Sequence, residues 1–183
     1  TSPGLIQVGG MGAIQVQPRD SVPSAAIAQN ARDNLTLIPK DCWISKGKLH
    51  DEIAWLVSAG PSLDRLLRNG YLKPNWFNSS TKNKLFTVKH ALPILSKYNV
   101  APHFCVVLDP RPIQGISTHG HLRQTLYSAA PKSTKFLVAS MTHPSVTSWL
   151  IKSGYEIFGW HSAANGLVTK QGEPPGPLQH VTN

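Results

Sequence analysis

At 183 residues, of which 40% are hydrophobic and 15% charged, the chain can bury one good core, or one domain with an irregular extension. No apolar run approaches the roughly 20 residues that cross a bilayer, and no secretory leader is visible at its start, so a soluble cytoplasmic protein without a membrane span is expected. The formal charge of +9 is confined to one segment: residues 1–52 hold five basic and five acidic side chains, residues 136–183 two of each, and residues 53–135 eleven Lys or Arg against Asp64 and Asp109 alone. A segment of that kind suits a polyanionic partner, a nucleotide first and nucleic acid second, unless acids elsewhere in the fold compensate it.

Residues 1–50 read as an N-terminal extension or arm, rich in Gly, Pro, Ser, Gln and Ala. Within it Ser24 to Leu35 has the composition of a short helix, and Leu35 to Ile38, stopped by Pro39, that of a weak strand. The arm is free to pack on the domain, on another subunit or on nothing. Cys42 and Cys105 lack metal-ligand spacing, and Cys105 lies in an apolar run that suits a buried free thiol.

From residue 51 to 162 apolar β-type words alternate with helical ones, the pattern of a parallel sheet with crossover helices. Strands are expected at Ile53–Ser58, Lys84–Val88, His103–Leu108, Lys135–Ala139 and Glu156–Trp160. Helices are expected from Leu63, over Ala91–Tyr98, over Leu122–Ala129 and over Ser145–Lys152. Residues 163–183, with Gly172, Pro174, Pro175, Gly176 and Pro177, read as a loop tail. The fold class is α/β: a Rossmann-like, three-layer arrangement with a mostly parallel sheet.

Ligands of open α/β sheets bind beyond the carboxyl ends of the strands, and three groups fall there. Gly60-Pro61-Ser62-Leu63 follows the first strand; Ser62 is placed to cap the helix, and a phosphate could approach the backbone at Gly60 where free N–H groups and the helix dipole point outward. Lys89 and His90 follow the second strand. Asp109 follows the third, with Arg111 beyond it, in a loop stiffened by Pro110 and Pro112; a carboxylate there could hold Mg²⁺ or a ribose hydroxyl, and Lys89 or Arg111 could neutralise phosphate oxygens. An ordinary βα turn, a capping Asp and solvated surface cations are the alternatives at the same positions. His119-Gly120-His121 is the one close histidine pair, and its Gly, Ser and Thr neighbours do not support the strand that would put both rings on one face. Gly-x-Gly-x-x-Gly and Walker-type Gly-Lys-Ser/Thr motifs do not occur.

Val57-Ser58-Ala59-Gly60-Pro61-Ser62-Leu63-Asp64, then Leu85-Phe86-Thr87-Val88-Lys89-His90-Ala91, then Asn99-Val100-Ala101-Pro102-His103-Phe104-Cys105-Val106-Val107-Leu108-Asp109-Pro110 resemble, in order and spacing, the 6-hydroxymethylpterin diphosphokinase-like family. That family is similar to the motility-associated-factor glycosyltransferases of flagellin and to bacterial sialyltransferases. The resemblance covers about Ile53 to Trp160 and implies a nucleotide-binding transferase domain that moves a diphosphate or glycosyl group. With the strand-end placement, this reading puts Gly60, Pro61, Ser62, Leu63, Lys89, His90 and Arg111 on the nucleotide or sugar nucleotide, and Asp109 in catalysis and on Mg²⁺. Where the family often has a small or acidic residue after the second strand, this chain has Lys89-His90. A further αβ region is expected after Asn183. The rival expectation is a non-catalytic structural or interaction protein, for example of a phage particle, that keeps the fold. The sequence leaves the oligomeric state open.

Overall fold

The computed structural model describes residues 22–44, 51–77, 82–117 and 120–161, with the backbone of two short antiparallel strands, β1 (Leu5–Ile6) and β2 (Ile14–Gln15). The tail beyond residue 161 and His119 lie outside the described residues.

The core is a five-stranded, all-parallel sheet of β3 (Ile53–Val57), β4 (Asn83–Val88), β5 (Phe104–Val107), β6 (Lys135–Ala139) and β7 (Ile157–Trp160), in that spatial order. Between them run α2 (Pro61–Arg68), α3 (Leu92–Lys97), α4 (Arg123–Ser128) and α5 (Pro144–Lys152). Each crossover steps to the next strand in the same direction, and right-handed crossovers that never reverse lay their helices on one face. The packing agrees. Leu85, Cys105, Val107, Phe136, Val138 and Ile157 alternate onto a single face of the sheet and are buried with Leu63 and Leu67 of α2, Leu92 and Leu95 of α3, Tyr127 of α4, and Val146 and Leu150 of α5. The opposite face, where Phe86 stacks on Phe104 with ring centres 4.7 Å apart, carries none of the crossover helices; its residues on β4 and β5 are half-buried, and Ala54 and Leu56 of the edge strand β3 are exposed.

Upstream of the sheet, α1 (Ser24–Leu37) packs against α5. It takes in Leu35 to Leu37, so the weak strand expected at Leu35–Ile38 does not form. Its Ala-rich run sustains the helix, and Pro39 stops it by forcing Ile38 into an extended conformation at φ −90° and ψ 122°. Trp43 then bridges to Gly159, and the Ile44 N–H donates to the Gly159 carbonyl at 2.8 Å. A side chain at Gly159 would meet the Trp43 ring at 2.7 to 2.9 Å, so glycine there is what admits the indole. Residues 22–44 are thus held by α5 along α1 and by β7 at their C-terminal end.

Candidate functional site at the carboxyl edge of the sheet

The β3–α2 turn forms as its residues dictate, with one correction. The helix starts at Pro61, whose fixed φ suits the first helical position, so Gly60 and not Ser62 is the N-cap, and no side chain caps the end. Ser62 sits within the first turn and is exposed. Pro61 has no N–H and the Leu63 N–H donates to the Gly60 carbonyl at 3.0 Å, which leaves the N–H and hydroxyl of Ser62 as the donors this turn offers outward. Gly60 has φ −153°, extended backbone open to any residue, and a Cβ there would meet nothing closer than 3.8 Å. The fold therefore does not need glycine at residue 60. Beside the turn lies a cleft of about 540 Å³ with Trp55, Val57, Ser58, Gly60, Ser62 and Tyr71 on its walls, within the size range of small-ligand sites.

Two strands further along, Asp109 is the centre of a buried ionic cluster. It is 4% exposed, and its Oδ2 takes an ion pair from Lys89 Nζ and another, at 3.2 Å, from Arg123 Nε. Arg123 is equally buried, and its Nη1 also donates to the Pro112 carbonyl at 2.9 Å. The guanidinium passes where a Cβ at Gly115 would collide with it, at 2.1 Å. Tyr127 closes the cluster; burial first, and the neighbouring Asp109 charge next, hold its hydroxyl far above the usual tyrosine range. The backbone of Asp109 is used as well, since its carbonyl accepts from the His143 N–H at 2.8 Å.

The structure thus divides the expected site residues into groups. Gly60, Pro61, Ser62 and Leu63 share the β3–α2 turn, with three of the four on the cleft. Lys89 and Asp109 are brought together, but on each other. His90 is half-buried in the turn after β4, and Arg111 half-buried in the loop after β5. The turn and the cluster leave strands separated by β4, two inter-strand spacings or about 10 Å apart. Arg123, Tyr127 and His143 belong to this edge; His143, which follows the fourth strand, is a residue the sequence places there, whereas Arg123 and Tyr127 were passed over. Arg123 begins a helix whose word looks like a solvated one, and only the fold shows that it turns inward. His143 Nδ1 accepts from the Ser145 N–H at 3.1 Å and faces Ser145 Oγ at 2.9 Å, capping α5. Burial pulls its pKa below the ordinary value, with Asp109 and Asp33 opposing.

Mg²⁺ asks for near-octahedral oxygen ligands. The Asp109 oxygen that pairs with Lys89 also pairs with Arg123, and among the described residues no three of His, Cys, Asp and Glu come together. As the cations stand, the residues present do not fit a metal held by Asp109.

A parallel α/β sheet of this kind hosts many activities, so the fold by itself does not fix the function. A family model described as 6-hydroxymethylpterin diphosphokinase MptE-like matches residues 26–172, and the chain belongs to that family. No curated protein matches it. No solved structure matches it either. Among the described residues no helix is long and apolar enough to cross a membrane.

Proposed function

We propose that the chain is a nucleotide-binding transferase domain of the diphosphokinase-like type, and that its ligand lies in the cleft beside β3 with a phosphate on the β3–α2 turn. The observation that carries this reading is the cleft's construction. Aromatic and aliphatic walls, Trp55, Val57 and Tyr71, suit a flat heterocycle, and the outward donors of Ser62 stand at its end over the positive pole of α2. Transfer of a phosphorylated group needs its charge held and its geometry fixed more than it needs covalent help from the protein. Lys89, its side chain 18% exposed and anchored by Asp109, is the cation nearest to that role, with Arg111 in the loop after the next strand of the edge. Asp109 then acts by holding cations in place. Diphosphoryl and glycosyl transfer both use such a site, and the choice between them lies with the ligand.

Isothermal titration of the 183-residue chain with ATP, CMP, a UDP-sugar and pyrophosphate, each with and without Mg²⁺, tests the reading. At least one should bind. Gly60→Val, which fills the phosphate approach and whose Cβ would meet nothing closer than 3.8 Å, should abolish that binding and cost only about 1 kcal/mol of stability, as a lost cap does. No binding by any of the four, or unchanged affinity in Gly60→Val, would reject the site and favour a non-catalytic protein. Binding that requires Mg²⁺ would return a metal to the edge.

A further inference from the structure

The geometry points to α1 as the element that positions the carboxyl-edge loops, through two asparagines one helical turn apart. Asn34 is fully buried, and its Nδ2 donates to the carbonyl of Ser140 at 2.8 Å and to that of Thr142. Its Oδ1 accepts from Thr147 Oγ1 at 2.7 Å, so the side-chain amide is fully engaged. Asn30, 6% exposed, donates from Nδ2 to the carbonyls of Met141 at 3.2 Å and Pro110 at 3.3 Å. The loop after β5 and the loop after β6 are therefore both tied to α1. They are tied to each other by the bond from the His143 N–H to the Asp109 carbonyl, and to the strand by Thr142 Oγ1 on the Val107 carbonyl at 3.3 Å.

Helix-interior asparagines are poor helix formers and costly to bury, and a helix that only covered the core would do better with Leu or Ala at residues 30 and 34. What these amides supply is a set of donors matched in place to loop carbonyls inside the fold. Four loop carbonyls are satisfied from one helix. The backbone of Asp109, and with it the carboxylate that holds Lys89 and Arg123, is set by α1. Asn30 and Asn34 are positioning residues for the site.

The test compares Asn30→Ala and Asn34→Ala with Thr147→Val, which removes the hydroxyl below Asn34 and leaves all four carbonyl bonds intact. Amide hydrogen exchange is read at His143, bonded to Asp109, and at Phe136, bonded inside the sheet to Glu156 at 2.9 Å. If α1 positions the loops, each Asn variant speeds exchange at His143 at least tenfold relative to Phe136, and Thr147→Val does not. Asn30→Ala, whose bonds are the longer ones, carries the test if Asn34→Ala fails to fold. Equal changes at both amides, or the same pattern in all three variants, would show a merely structural role and overturn the inference. A second arm rests on the proposed function: the affinity of the best-binding nucleotide should fall several-fold in the Asn variants. Absence of any binding by the unmodified chain would sink that function, while the exchange arm would still decide the inference.

Discussion

Asp109 shows what a residue's surroundings change. From the sequence it is a loop carboxylate whose replacement should cost about 1 kcal/mol, the range of ordinary surface changes. In the fold it is buried between Lys89 and Arg123. Breaking a buried ion pair by removing one partner costs about 3–5 kcal/mol, because the remaining charge is stranded, and here two cations would be left. Asp109→Asn is expected to lower stability by that amount in chemical denaturation, while Arg111→Gln, half-buried and outside the cluster, should stay within about 0.5 kcal/mol. A loss under 1 kcal/mol for Asp109→Asn would mean that the carboxylate is solvated and available to a ligand. The position of Asp109 at the sheet edge was legible, because a polar residue ending an apolar strand is a strong local signal. Its partner Arg123 was not, for the pairing spans fourteen residues and depends on the passage that Gly115 leaves open. Asn30 and Asn34 did carry a signal, two amides on one stripe of an Ala-rich helix, but their acceptors lie more than seventy residues away in the chain.

At the scale of elements, the five strands and the helices after them lie where the apolar words place them, since each word is long enough to fix its own period. The errors fall at boundaries governed by proline: Pro61 opens α2 earlier than a Ser cap would, and Pro39 ends α1 where a strand was expected. Helix α5 adds a pH dependence to its start. The cap His143 accepts from the Ser145 N–H through Nδ1, so the neutral ring is the one the fold uses, and burial lowers its pKa from 6.5. His103 and His161 are lowered too, chiefly by burial. An unfolded chain titrating near 6.5 then binds protons that the fold resists, so stability is complete above that value. It falls as pH drops through 6.5 toward the lower folded pKa values and then levels. Melting curves from pH 7.5 to 5.0 should show this fall. His143→Asn, which keeps an accepting cap without a titrating ring, should flatten part of it. An unchanged slope in that variant would remove His143 as a source and leave the other two.

Across the whole molecule, the fold redistributes the charge that the sequence concentrates in residues 53–135. Seven of the eleven basic side chains there, Arg68, Lys82, Lys84, Lys89, Lys97, Arg123 and Lys135, stand in ion pairs. Three of their acidic partners, Asp51, Glu52 and Glu156, come from the flanks that looked neutral by themselves. A count along the chain could not see this, because parallel strands put the ends of distant segments side by side. Among the four that remain, Lys132 precedes β6 at the amino edge and lies over the Tyr155 ring at 4.0 Å, whereas Arg111 follows β5 at the carboxyl edge. The two positions separate a local phosphate contact from the general field of a +9 protein. At 0.1 M salt charges screen over about 10 Å, so only an edge cation should act strongly on a ligand at the edge. Affinity for pyrophosphate is expected to fall about 3- to 10-fold between 50 and 500 mM salt. Arg111→Gln should weaken binding at low salt and reduce that dependence, and Lys132→Gln should alter neither. Equal losses in the two variants would mean that net charge, and not the carboxyl edge, draws the anion.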